Sequence, residues 1–212
     1  LGTLMSLFVM TMYAYVLAQK NFVFRKFFMW ILFFTMLFSG GLVPSYIMNV
    51  RYLHINDSIW IFLLPSLVSV YNVIILRTFI LTTIPDTLFE AARIGGAGHF
   101  RVYVSSVLPL FKAGIATIAL FTAVGYWNDY FSAVMYLKNE EMYPIAMLLR
   151  KMLVLLDGTG VKGMVIRSGT SAVNSRTAKC AAVIITMIPI MMIYPFLQKH
   201  FAKGLLVGSV KG

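Results

Sequence analysis

Long apolar runs separated by short polar segments constrain this chain more than any other feature. A helix needs about 20 mostly apolar residues to cross a bilayer. Runs of that size extend from Leu1 to about Ala18, from about Phe27 to Met48, and from about Ser58 to Leu81. Two more cover about Leu108 to Leu137 and about Cys180 to Leu197. Composition agrees: 60% of residues are hydrophobic and only 12% charged, where a soluble domain is about a quarter charged. Mean hydropathy is +0.85. The expected fold is an all-α integral membrane protein with five spans, forming one domain over residues 1–212.

The third run carries Pro65, which predicts a kink, as do Pro189 and Pro195 in the fifth. Ser66, Ser69, Tyr71 and Asn72 suit bonding to neighbouring helices. Pro109 is expected to open the fourth span, where its missing N–H costs nothing. Lys20, Arg25, Lys26, Arg93, Arg101, Lys112, Lys199, Lys203 and Lys211 fall on one side of the spans. The positive-inside rule makes that side cytoplasmic. Opposite lie the Arg51 loop and a long loop over about 138–179, in which Tyr143 to Leu156 can form an amphipathic helix. A polar tail, 198–212, ends the chain. The net charge of +11 is scattered between spans rather than gathered on one face. It fits phospholipid headgroups and argues against nucleic acid.

Several chemistries drop out. One cysteine, Cys180, allows no intrachain disulfide. His54, His99 and His200 lack ligand spacing, so no metal site is expected. Gly158 to Gly163 matches G-x-G-x-x-G, but no strand precedes it, and a flexible turn is the better reading. A phosphate loop of the form G-x-x-x-x-G-K-[ST] is absent, so the energy of any transport comes from elsewhere. An intramembrane aspartyl protease needs two facing carboxylates, and the spans hold only Asp129. No G-x-S-G supports a serine type.

One polar break stands out: Glu90-Ala91-Ala92-Arg93-Ile94-Gly95-Gly96-Ala97, followed by Leu108-Pro109. Pro85 fits a first helical turn, and Asp86 favours the positive end of the dipole. Leu88, Ala91, Ala92 and Gly95 share a strip whose small side chains let another backbone approach. Glu90 and Arg93 lie off that strip, where they can pair with a partner's charges. Gly95 and Gly96 end the helix. Asp129 sits in a predicted span beside Tyr126, Trp127, Asn128 and Tyr130. Aromatic faces and amide donors there suit a sugar; the plainer reading is that Asp129 locks helices together near the outer interface. A charge at the bilayer centre costs about 2.5–3.5 kcal/mol, so it should face a cavity or a partner.

The spacing of Glu90, Ala91, Ala92, Gly96, Leu108 and Pro109 resembles the coupling segment of permease subunits in bacterial ABC importers. Ser106 and Gly95 depart from that pattern. Gly125 to Phe131 is similar to the Trp-Asn segment of maltose-permease-type carbohydrate importers. Ser39 to Pro44, Arg77-Thr78-Phe79 and the tail from Lys203 to Gly212 are similar too. Met142-Tyr143-Pro144 with Leu148-Leu149-Arg150 resembles a branch importing oligosaccharides from polysaccharide breakdown. The resemblance implies a type I importer transmembrane domain in a bacterial plasma membrane, with a coupling segment at about 84–109. Such permeases usually have six spans, so a first span is expected before Leu1. Implied partners are a paralogous second permease, two ABC ATPase subunits, an extracellular or periplasmic solute-binding protein, membrane lipid and a sugar. Glu90, Ala91, Ala92, Arg93, Gly96, Ala97, Leu108 and Pro109 would couple to the ATPases. Tyr126, Trp127, Asn128, Asp129 and Tyr130 would line the substrate path. This chain would need no cofactor, ATP and Mg²⁺ being held by the ATPases. An ion-coupled secondary transporter is the alternative; it predicts several intramembrane charges and internal repeats, and the sequence shows neither.

Overall fold

The computed structural model describes residues 1–157, together with Thr177, Cys180, Ala181, residues 183–189, Met191 and Met192. Among the described residues all regular structure is helical. Most of the expected long loop, the end of the fifth run with Pro195, the glycine pattern at 158–163, His200 and the tail lie outside them.

Helix α1 (Gly2–Ala18) is the centre of the packing. Its buried Met10, Ala14, Leu17 and Ala18 recur at helical spacing. They meet Val73, Leu76 and Ile80 across the chain. Between these helices the small Ala14 and Ala18 permit close approach, which in lipid is what drives helix association. Polar ties fix the register. Thr11 and Tyr103 share a buried hydroxyl–hydroxyl bond of 2.7 Å. Arg77 Nε donates to the Leu17 carbonyl at 3.1 Å, satisfying an end group of α1.

No single described helix is long and apolar enough to cross a membrane, but three bent pairs are, by length and composition. The run expected as one helix over Phe27–Met48 divides into α2 (Arg25–Leu37) and α3 (Leu42–Ile47), the latter continuing as a π turn, Met48–Tyr52. The two parts meet at 112°. Gly40-Gly41 causes the break, with Gly41 at φ +85°, a conformation other residues seldom adopt.

The third run is broken as well. Helix α4 (Trp60–Leu63) stops before Pro65, and α5 (Val70–Thr83) starts anew after an irregular stretch. Pro65 therefore separates two helices instead of kinking one. Ser69 caps α5 by accepting from the Asn72 N–H at 3.4 Å. Helix α6 (Asp86–Ile94) then turns away from α5 at 82°.

The fourth run differs most from expectation. Its helix begins upstream, as α7 (His99–Val102), a π turn (Tyr103–Val107) and α8 (Leu108–Leu110) in series. Pro109 thus lies inside a continuous helical path rather than at its start. Its ring crowds the carbonyl four residues back, and the wider π turn beside it relieves that crowding. The chain then bends by 83° into α9 (Lys112–Trp127). A second break at Asn128–Tyr130 precedes α10 (Phe131–Tyr136). The amphipathic segment expected near Tyr143–Leu156 is α11 (Ile145–Asp157).

The outer surface of α2 and α3 is apolar and open. Trp30, Phe34 and Phe38 stack along it, with ring centroids 5.7 and 4.7 Å apart.

Candidate functional site

The Glu-Ala-Ala stretch folds as α6, and local chemistry sets both ends. Asp86 in the first turn forms an ion pair with Lys20. At the other end Gly96 takes φ +69°, and the Ala97 N–H donates to the Ala92 carbonyl at 3.0 Å. That six-to-one bond with a left-handed glycine is a Schellman cap.

One face of α6 belongs to the chain itself. Leu88, Phe89 and Ala92 pack against the core, with Phe89 beside the Tyr15 ring at 6.3 Å between centroids. Tyr15 Oη also donates to the His99 carbonyl at 3.2 Å, so α1 holds α6 and α7 together. The strip expected to receive another backbone is therefore split. Leu88 and Ala92 turn inward, while Ala91 and Gly95 are exposed. The free face presents Glu90, Ala91 and Ile94, the last 90% exposed. Ile94 follows Glu90 by one helical turn and adds a large apolar side chain to that face, which the motif spacing alone does not single out. Arg93 lies on α6 and Ala97 is half-buried in the turn. Leu108 packs on the core from α8, and its neighbour Pro109 is exposed.

The second constellation lies around the C-terminal end of α9. A cavity of about 390 Å³ opens between α1, the break before α5, and the α9–α10 junction. Ser66, Ser69, Asn72, Thr122, Tyr126, Asp129 and Ser132 give it a polar wall, and Met10, Phe121 and Gly125 an apolar one. Asp129 is not inside a helix. It stands in the break, and its Oδ1 accepts from the Ser132 N–H at 3.1 Å, capping α10. The Tyr126 hydroxyl shares a 2.8 Å bond with buried Ser6.

The five aromatic and amide residues expected along a path are divided by the structure. Tyr126 and Asp129 face the polar cavity. Trp127 lines a second, mainly apolar cavity of about 300 Å³ with Thr3 and Leu120, and Tyr126 borders this one as well. Asn128 is exposed in the break. Tyr130 lies under the Arg150 guanidinium, 4.5 Å from the ring centroid. Asn72, Ser66 and Ser69 were read as helix-bonding groups and instead line the cavity; Thr122 and Ser132 were not noticed. Polar residues inside apolar runs were the available signal.

A broken-helix domain with a short, anchored surface helix is the architecture of an importer's membrane component, and the comparisons place the chain there. It belongs to the family of binding-protein-dependent transport system inner membrane components, which it matches over residues 8–207. It is 40% identical over 213 residues to the polygalacturonan/rhamnogalacturonan transport system permease protein YtcP of Bacillus subtilis (strain 168). That match covers all of this chain and 73% of the relative. Identity to protein LplC of the same organism is 40% over 211 residues, covering all of this chain and 70% of LplC. The melibiose/raffinose/stachyose import permease protein MelC, also from that organism, is 33% identical over 173 residues, 81% of this chain and 57% of MelC. A crystal structure of a bacterial ABC transporter that imports the acidic polysaccharide alginate contains a chain of the same fold. Its TM-score is 0.84 at 31% identity, covering 94% of this chain and 70% of the other. The chain is accordingly a membrane-located permease subunit of an ABC importer, with relatives that are permeases rather than enzymes. The ion-coupled alternative falls with that membership.

Proposed function

We propose that this subunit forms half of an oligosaccharide path across a bacterial plasma membrane and passes the ATPase stroke to it through α6. The observation that carries the reading is the free face of α6. Glu90, Ala91 and Ile94 are exposed on a helix whose opposite face is fixed to α1 through Phe89 and Tyr15, while the exposed Lys20–Asp86 pair ties its first turn to the segment after α1. A helix exposed on one face and anchored on the other suits docking into a cleft of an ATPase subunit. Arg93, Gly96 and Ala97 complete that knob, and Leu108 and Pro109 support it from the following helix.

On this reading a paralogous permease supplies the other half of the path. Two ATPase subunits hold ATP and Mg²⁺ on the cytoplasmic side, and a solute-binding protein delivers sugar outside. The chain is multi-pass, with 84–109 and the tail on the cytoplasmic side. Closure of the ATPases would rock the spans as rigid bodies between inward-open and outward-open states. The relatives named for polygalacturonan/rhamnogalacturonan and for melibiose/raffinose/stachyose favour an oligosaccharide over a monosaccharide. Tyr126 and Asp129 on the polar cavity, with Trp127 on the cavity next to it, would line the outer end of that path.

The test is Glu90→Lys in the full-length protein, co-expressed with its sister permease and ATPases. The complex should assemble and hydrolyse ATP while uptake of labelled oligosaccharide falls to background. Uptake at the normal rate would remove the docking role.

A further inference from the structure

The polar cavity carries an unusual balance of groups. The Thr122 hydroxyl is buried and has no hydrogen-bond partner. Among the described residues the Asn72 side-chain amide and the Ser132 hydroxyl make no hydrogen bond, although both line the same space. Asp129 uses Oδ1 for the Ser132 N–H and has Oδ2 to spare. Polar groups withdrawn from water are normally paired, because each one left unpaired is costly. The buried Thr122 hydroxyl, with the half-buried Asn72 amide, Ser132 hydroxyl and Asp129 Oδ2 around the same space of about 390 Å³, fits a ligand that is dense in hydroxyls and can both donate and accept.

The charge balance narrows the ligand. Among the described residues Asp129 is the one charged side chain in the wall, and no described lysine, arginine or histidine lines it. The nearby Arg150 is engaged over the Tyr130 ring and stands outside the cavity wall. A uronate carboxylate entering here would meet a carboxylate with no cation to offset the repulsion, whereas a neutral pyranose would offer hydroxyls to accept the Asn72 amide protons and donate to Asp129 Oδ2. Apolar Met10 and Phe121 give the other wall a surface for the C–H face of a sugar ring.

We propose that this cavity is a sugar subsite that selects uncharged pyranose units against uronates, with Asp129 as the discriminating group and Asn72 and Thr122 as its hydrogen-bonding partners to the sugar. The inference rests on the reading of the protein as an oligosaccharide importer, and it sets this chain apart from the relatives named for polygalacturonan and alginate, which are uronate polymers.

The test compares two probes of equal length, a neutral galacto-oligosaccharide and an oligogalacturonate. Uptake is measured in proteoliposomes holding the complete importer and its own binding protein. Asp129→Asn is the informative variant, because the amide oxygen can still cap α10 while the charge is gone. The wild type should favour the neutral probe, and the variant should shift the neutral-to-acidic uptake ratio roughly tenfold toward the uronate, the scale of one partly solvated like-charge contact. Asn72→Leu should reduce uptake of the neutral probe; uptake at the wild-type rate would remove Asn72 from the subsite. If Asp129→Asn lowers both probes equally, the carboxylate is a helix cap only and the subsite is wrong. If the wild-type importer moves neither probe yet moves a non-sugar solute, the oligosaccharide reading itself fails, and this inference with it.

Discussion

Gly96 shows how one residue shapes the surface that a partner would meet. Its φ of +69° lies where a side chain strains the backbone, and nothing lies within 4 Å of an added Cβ. The cost of Gly96→Ala is therefore conformational and amounts to about 1–2 kcal/mol. Gly98 has open space too but an ordinary φ of −66°. Gly98→Ala should leave the melting temperature of the purified complex unchanged while Gly96→Ala lowers it; equal effects would show that the cap contributes nothing. Asp129 makes the contrasting point. It was singled out for its charge inside an apolar run, yet its position in the chain is explained by the helix it caps. One side chain can meet a local backbone need and still line a cavity.

At the scale of elements, packing depends on a few close approaches. Gly114 is the buried point where α9 meets α5, and a Cβ there would lie 3.2 Å from Phe79 Cγ and 3.3 Å from Phe111 Cδ2. Both are rings held in the core, so Gly114→Val should overpack the contact and destabilise by about 1–3 kcal/mol; unchanged thermal stability in detergent would overturn this. The apolar runs, the coupling helix with its glycine stop, and the amphipathic α11 could all be read from the sequence, because each follows from periodicity or from a residue with one conformational use. The bends could not. Gly40-Gly41 looked like a feature near the far end of a span, and Pro109 like a helix start. Hydropathy averages over a window and does not register a change of direction between two apolar helices. The same limit hid the cavity: Thr122 and Asn72 are 50 positions apart and become neighbours only because α5 begins where the irregular stretch ends.

For the whole molecule, two ties between distant parts of the chain matter most. The first is Asp57, whose Oδ1 accepts from the N–H groups of Lys138 and Asn139, each at 3.0 Å, joining loops 81 and 82 positions apart. Those two bonds, Asn139 first, hold its carboxyl below the usual carboxylate range. The folded state thus binds this proton less readily than the unfolded state does. The tie is at full strength above the ordinary carboxylate pKa of about 4 and is lost as pH falls through the lower folded value. Asp57→Asn, which keeps the acceptor but cannot titrate, should flatten the acid-side loss of thermal stability; identical profiles would exclude the tie as a source of it.

The second tie is α1. Near one end, Tyr15 grips the Phe89 ring and the His99 carbonyl, and Leu17 is pinned by Arg77. Toward the other, Ser6 bonds the Tyr126 hydroxyl and the Ser66 carbonyl at the cavity wall. Between these grips lies an unbroken helix, about 1.5 Å per residue along its axis, whereas the three candidate spans found among the described residues are all bent. A straight rod clamped near both ends has little lost motion. Movement at α6 would reach the polar cavity as displacement of one stiff body, and the bends elsewhere are where the rest of the fold can yield to it.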